Sequence, residues 1–309
     1  MTARRPGGRG RALAGLLVAA ALALAGCTAT TDDRPRVVVS TNVLGDVVGE
    51  LVGDQAEVMT LMKPDADPHS FQVSAQEAAR LRSSDLVVSN GLGLEEGLQR
   101  HLDAAAADGV RTFVAGDVVE VLDHATGDAA GTPDPHLWTD PARMLDVVDA
   151  LQPVLAGLDG VDPEQLAART AAYRGRLEAL DAEMVAAFAA IPADRRALVT
   201  NHHVFGYLAQ RFDFRVVGAV VPSGTTLAAP SSSDLADLVT AVREAGVPVV
   251  FAESSSPDRL ARALAREAGV QVRVVELYTE SLTAADGGAP TYLDMMRANT
   301  ERIADGLSS

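Results

Sequence analysis

Residues 161–190 read VDPEQLAARTAAYRGRLEALDAEMVAAFAA. Pro163 stands where proline suits the first turn of a helix. After it, Gly175 is the only glycine or proline before Ile191. Alanine, arginine and glutamate dominate the stretch, and all three favour helix. A helix over Asp162–Ala190 would be about 40 Å long, enough to brace two domains.

What flanks this segment is alike on both sides. Before it, short apolar or β-branched runs predict strands at Val37–Ser40, Ala56–Met62, Leu86–Ser89 and Arg111–Val114. Helices are expected between them at Val43–Val52, Ala75–Ser83 and Glu95–Ala107. After it, strands are expected at Ala197–Thr200, Arg215–Val221, Pro248–Ala252 and Gln271–Leu277. The accompanying helices fall at Phe205–Phe212, Ser233–Ala245, Asp258–Ala268 and Tyr292–Gly306. Strand–helix alternation argues for parallel sheets covered by helices on both faces. The expected fold class is therefore α/β: two similar lobes, 37–160 and 193–309, joined by a spine helix within 161–192. The bland alternative is a long surface helix within one domain.

The N-terminus sets the compartment. Residues 1–11 carry Arg4, Arg5, Arg9 and Arg11 and no acid, and Ala12–Ala25 is an uncharged apolar run. That run is short of the ~20 residues a membrane span needs. Basic head, apolar middle and small residues form a secretory signal, assigned to 1–26. It ends in Leu24-Ala25-Gly26-Cys27, which resembles the bacterial lipobox, whose cysteine takes a lipid. Cys27 is the only cysteine, so no intrachain disulfide can form. A plain signal peptide with an incidental cysteine is the alternative. Residues 27–36 are read as a lipid-anchored flexible leash holding the protein outside the cytoplasmic membrane. Without residues 1–26, 22 basic residues face 42 acidic ones, a net charge of −20 against −16 for the whole chain. Such a surface repels nucleic acid.

Asp-Pro-His occurs twice, at Asp67-Pro68-His69 and Asp134-Pro135-His136, in a chain with six histidines. Proline stiffens the backbone before each imidazole. The aspartate could orient the ring or bond the loop. Two unrelated turns would look the same. Ligands of open α/β sheets bind beyond the carboxyl ends of strands, and His69, His202 and Glu280 each follow an expected strand. His136 lies in a loop between Gly131 and Pro141. Two candidates come from each half, so facing halves would bring all four into one cleft. Three imidazoles and a carboxylate suit a borderline metal such as zinc. Their wide spacing carries no local signal. His101 reads as a solvent-facing helix residue, and His124 as a plain loop residue near Asp123 and Asp128. His203 points away from its neighbour His202. No His-Glu-x-x-His, phosphate-cradling loop or Gly-x-Ser-x-Gly is present.

Several longer segments carry a resemblance to a known family. They are Asp65-Ala66-Asp67-Pro68-His69-Ser70-Phe71, Asn90-Gly91-Leu92-Gly93-Leu94-Glu95 and Asp134-Pro135-His136-Leu137-Trp138. With them stand His202-His203-Val204-Phe205-Gly206-Tyr207, Phe251-Ala252-Glu253-Ser254, Leu277-Tyr278-Thr279-Glu280-Ser281-Leu282 and Tyr292–Asn299. Together and in order they are similar to the solute-binding lipoproteins of zinc and manganese ABC importers, over nearly the whole mature chain. The resemblance implies metal ligands at His69, His136, His202 and Glu280, in a cleft between lobes bridged by one long helix. It implies transfer of the metal to an ABC permease and its ATPase by a monomeric, non-enzymatic carrier. Glu280 stands where the family more often has aspartate, His203 where it usually has aspartate, and Gln72 where glutamate is frequent. Ala229-Pro230-Ser231 departs from a usual Glu-Pro-Ser. Glu253 is expected beside the cleft in a supporting role. Histidine at position 202 points to zinc; the Leu-Tyr-Thr-Glu-Ser-Leu segment is closer to manganese-type relatives. The rival class is a secreted zinc hydrolase, which would keep an open coordination position.

Overall fold

The computed structural model describes residues 33–221, 223–254, 259–267 and 273–308, with the isolated position 2. The expected signal peptide, Cys27 and most of the leash lie outside the described residues. Residues 34–309 form one compact unit.

Strands β1 (Arg36–Val39), β2 (Glu57–Thr60), β3 (Leu86–Ser89) and β4 (Thr112–Val114) form a parallel sheet ordered β2-β1-β3-β4. Val37, Val38 and Val39 are fully buried, as a parallel strand covered on both faces requires. Helices α1 (Asn42–Val52), α2 (Ala75–Arg82) and α3 (Gln99–Ala107) connect these strands. Ser74 and Glu77 close α2 with a reciprocal capping box. β1 begins at Arg36 over a buried Pro35, so the sheet starts earlier than the leash expected to end at residue 36.

Two differences from expectation have clear causes. The helix expected from Glu95 starts at Gln99, because the Glu95 carboxylate turns inward. It accepts hydrogen bonds from Ser40 Oγ (2.6 Å), Asn90 N (2.7 Å) and Gly91 N (3.1 Å). A further helix, α4 (Pro141–Ala156), occupies a stretch with no expected element. Pro141 reads as closing a loop, yet it fills the first helical turn behind the cap Asp140, and Pro153 lies in the final turn.

The spine, α5, spans Pro163–Ala189, 27 residues. Asp162 caps it by accepting from Glu164 N and Gln165 N. Leu166, Thr170, Tyr173, Leu177, Leu180, Met184 and Phe188 are its buried stripe, at the three-and-four spacing of one helical face. That stripe packs against α1 and α4 from before it and α9 (Tyr292–Ser308) from after it. Arg169 reaches the carbonyls of Glu50 and Leu51 at the end of α1.

Beyond α5, β5 (Ala197–Thr200) pairs in parallel with β6 (Arg215–Ala219), and β7 (Val249–Glu253) with β8 (Arg273–Leu277). β5 lies beside β7. Helices α6 (Gly206–Phe212), α7 (Ser232–Ala245) and α8 (Arg259–Glu267) accompany them. The first residues expected in α8 and β8 fall outside the described residues. One apolar cluster runs from Val37 and Leu44 through Tyr173 to Phe251 and Tyr292, so residues on both sides of α5 share a core.

Asp46 of α1 accepts from Tyr292 N at 2.9 Å and so caps α9. Burial, reinforced by Glu50, pushes its carboxyl up from 3.8 to about 6. An acid whose folded pKa is raised favours the fold while protonated, and that contribution is lost as pH rises from about 4 through 6. Asp46→Asn should therefore gain stability relative to wild type as pH rises from 4 to 7, by up to about 2–3 kcal/mol. Thermal melts across that range would show the difference; a pH-independent difference would refute it.

Candidate metal centre

Each candidate side chain is set by its local backbone. In the first Asp-Pro-His, Asp67 bonds the loop: Oδ1 accepts from His69 N (2.8 Å), and Oδ2 from Ser70 Oγ (3.0 Å) and Thr226 Oγ1 (2.6 Å). In the second, Asp134 Oδ1 takes both the backbone N (3.0 Å) and the ring Nδ1 (2.7 Å) of His136. This places the proton on Nδ1 and leaves Nε2 as the lone-pair donor. Both aspartates thus bond their own loop, and only Asp134 also orients the ring. A Cβ at residue 206 would collide with Asp134 Oδ2, so Gly206 lets α6 start against this carboxylate.

His202 follows β5, where Thr200 Oγ1 donates to its carbonyl (2.7 Å). Its Nδ1 faces Glu253 Oε2 at 3.4 Å, and Asn201 Nδ2 donates to the same oxygen (3.3 Å). Glu280 follows β8 on a segment tied to residues from before the spine. Trp138 Nε1 donates to Thr279 O (2.8 Å), Leu282 N to Asn42 Oδ1 (3.0 Å), Asn42 Nδ2 to Ser281 Oγ (2.8 Å) and Asp65 N to Leu282 O (3.0 Å).

The four side chains meet. Glu280 Oε1 is 3.0 Å from His69 Nε2 and 3.2 Å from both His136 Nε2 and His202 Nε2. His136 Nε2 and His202 Nε2 are 3.3 Å apart. A tetrahedral ion with ligands at 2.0–2.1 Å has ligand–ligand edges of about 3.3 Å. All four residues are at most 1% exposed, so each ligand atom is already withdrawn from water. Glu280 Oε2 has no hydrogen-bond partner. Burial opposes ionisation of Glu280, but His202 and the other imidazoles outweigh it and hold its carboxyl well below the usual range. Burial likewise opposes charge on His202, yet Glu280 and Glu253 raise it well above the ordinary histidine value. This is an electrostatic well shaped for a cation, and the four residues could hold a metal ion.

Other expectations fare differently. Glu253 is buried beside His202, as expected of a supporting residue. His101 lies in α3, partly buried, away from the cluster. His203 is outside the four-residue group; burial and the neighbouring histidines push it down to about 4. His124 is no plain loop residue: it is 6% exposed, with its ring 6.1 Å from that of His136 and 6.4 Å from that of His203.

Some supporting residues carry no sequence signal of their role. Asn90 Nδ2 donates to Pro135 O (2.9 Å) while Glu95 holds the backbone of Asn90 and Gly91. The His136 loop thereby hangs from the end of β3. Tyr207 OH donates to Asp134 O (3.0 Å), and Tyr292 OH to Trp138 O (2.7 Å). Nothing local identifies Glu95, Trp138 or Tyr292.

Comparison with known proteins gives the family. The chain matches the family model of ZnuA, the periplasmic component A of the zinc-uptake complex, over residues 37–306. It is 28% identical over 277 residues to an iron-binding protein, YfeA of Yersinia pestis, covering 90% of this chain and 88% of that one. It is 27% identical over 302 residues to the manganese-binding lipoprotein MntA of Halalkalibacterium halodurans, covering 95% and 97%. Among solved structures, the periplasmic zinc-binding protein TroA of Treponema pallidum superposes with a TM-score of 0.79 at 26% identity. The match spans 89% of this chain and all of TroA. With the family model matching nearly all of the described chain, the protein belongs to the ZnuA family of metal-binding components of ABC importers.

Proposed function

We propose that this protein captures a divalent transition metal, zinc first, outside the cytoplasmic membrane and passes it to an ABC permease driven by its ATPase. His69, His136, His202 and Glu280 are the ligands, contributed by lobes 37–160 and 193–309 on either side of the spine. The carrying observation is that Glu280 Oε1 lies 3.0–3.2 Å from three imidazole Nε2 atoms, two of which are 3.3 Å apart. That donor set, at a spacing matched to short tetrahedral bonds, suits zinc. Manganese is the second reading, favoured by the likeness to a manganese-binding lipoprotein. Four buried protein donors fill a tetrahedral shell and leave no position for a reacting water, which supports carriage over hydrolysis. The protein works as a monomer, and Cys27 carries a lipid anchor once residues 1–26 are removed. Among the described residues no helix is long and apolar enough to cross a membrane.

Competition titration with a zinc chelator tests the ligand set. His202→Ala should weaken zinc binding by at least about 100-fold, since losing a ligand costs no less than losing its outer partner. Unchanged affinity would refute the assignment. Asp134→Asn, which keeps the shape but weakens the grip on His136 Nδ1, should cost about 10–100-fold. Metal content of the protein isolated from cells grown with zinc and manganese both supplied should be zinc; manganese in the isolated protein would make manganese the cargo.

Cys27→Ala should free the protein from the membrane fraction and abolish labelling by a radioactive fatty acid. Retention of the label would exclude Cys27 as the anchor.

A further inference from the structure

Among the described residues three donors reach the Asp67 carboxylate, and one of them comes from beyond the spine. Oδ1 accepts from His69 N (2.8 Å) and Oδ2 from Ser70 Oγ (3.0 Å), both within the loop that carries His69. Thr226 Oγ1 reaches the same Oδ2 at 2.6 Å from a residue 159 positions later. This bond is part-buried and its acceptor is a carboxylate, which makes it stronger than a bond between neutral groups.

Thr226 stands on the segment 223–227, between β6 and α7. The root of that segment is fixed to the stretch that carries His202. Val220 N donates to Thr200 O (2.9 Å), Val221 N to Asn201 O (2.8 Å) and His203 N to Ser223 O (3.2 Å). Thr225 N donates to Ser223 Oγ (3.3 Å) and Leu227 N to Thr225 Oγ1 (3.3 Å), local bonds of the kind that hold a turn. Gly224 lies so close to His124 that a Cβ there would overlap the ring. The segment is thus a strap: one end holds the residue after His202, the other the residue two before His69. The rings of those two histidines, from opposite sides of the spine, meet edge to face with centroids 5.7 Å apart. Both are at most 1% exposed, so an ion held there leaves only when a covering contact opens. Residues 223–226 of the strap are half-buried and Leu227 is exposed, and such a loop opens at lower cost than buried strands do.

We propose that Thr226 is a positioning residue for retention of the ion: its hydroxyl fastens the strap to Asp67, and that fastening sets how fast the ion leaves. This rests on the metal-carrier reading above and extends it. While the bond holds, the His69 loop and the His202 loop are tied to one another. Breaking it lets the two loops part without deleting a ligand.

The test is zinc release from the whole chain, loaded with one equivalent and mixed with excess chelator in a stopped-flow instrument. Thr226→Val keeps the shape and removes the hydroxyl; zinc should leave about tenfold faster. Thr226→Ser keeps the hydroxyl and should release zinc at the wild-type rate, a rescue that a mere packing role would not give. In an Asp67→Ala background Thr226→Val should bring no further acceleration, because its partner is already gone. Release from Thr226→Val at the wild-type rate, release from Thr226→Ser as fast as from Thr226→Val, or full additivity with Asp67→Ala overturns the strap. A wild-type chain that takes up no zinc would instead overturn the carrier reading, so the two failures are distinguishable.

Discussion

One carboxylate oxygen, Glu280 Oε1, lies within 3.2 Å of three imidazole nitrogens. Four polar groups crowded this closely and stripped of water would repel or strand one another without charge compensation. The fold supplies the restraint. Asp134 fixes the ring of His136, Glu253 stands behind His202, and Asp67 pins the backbone of His69. Behind these, a buried Glu95 and a buried Trp138 hold the loops that carry them. Removal of any one support loosens a ligand without touching it.

The apolar framework around the site follows from equally simple constraints. Parallel strands buried on both faces need runs such as Val37-Val38-Val39, and α5 needs one stripe that can meet helices from both sides. These features are local in sequence, which is why the strands and the spine are legible there. The four residues of the cluster are also legible, but through the longer segments around them and the strand ends they follow. Their separations along the chain say nothing of a shared centre.

What was not legible depends on contacts distant in sequence. α4 was hidden by Pro141 and Pro153, residues that usually punctuate; only packing on α5 makes the intervening apolar face decisive. Glu95 looks like an ordinary helix-favouring residue until Ser40 and the turn at Asn90 surround its carboxylate. His124 looks like a polar loop residue until residues about 80 to 100 positions later close over it. In each case the deciding partner belongs to another element.

The segment carrying Glu280 belongs by sequence to the second half, yet Asn42, Asp65 and Trp138 bind its backbone and side chains. His69, His136 and Glu280 are therefore moored to a common body, whereas His202 is mounted on β5 with Glu253 of β7 behind it. The shell divides three to one. On the metal-carrier proposal, a separation of β5 from that body would remove a single imidazole and leave three donors around the ion, with one face bared. Exchange with an incoming donor could then proceed by substitution at that face, with no moment at which the ion is held by nothing.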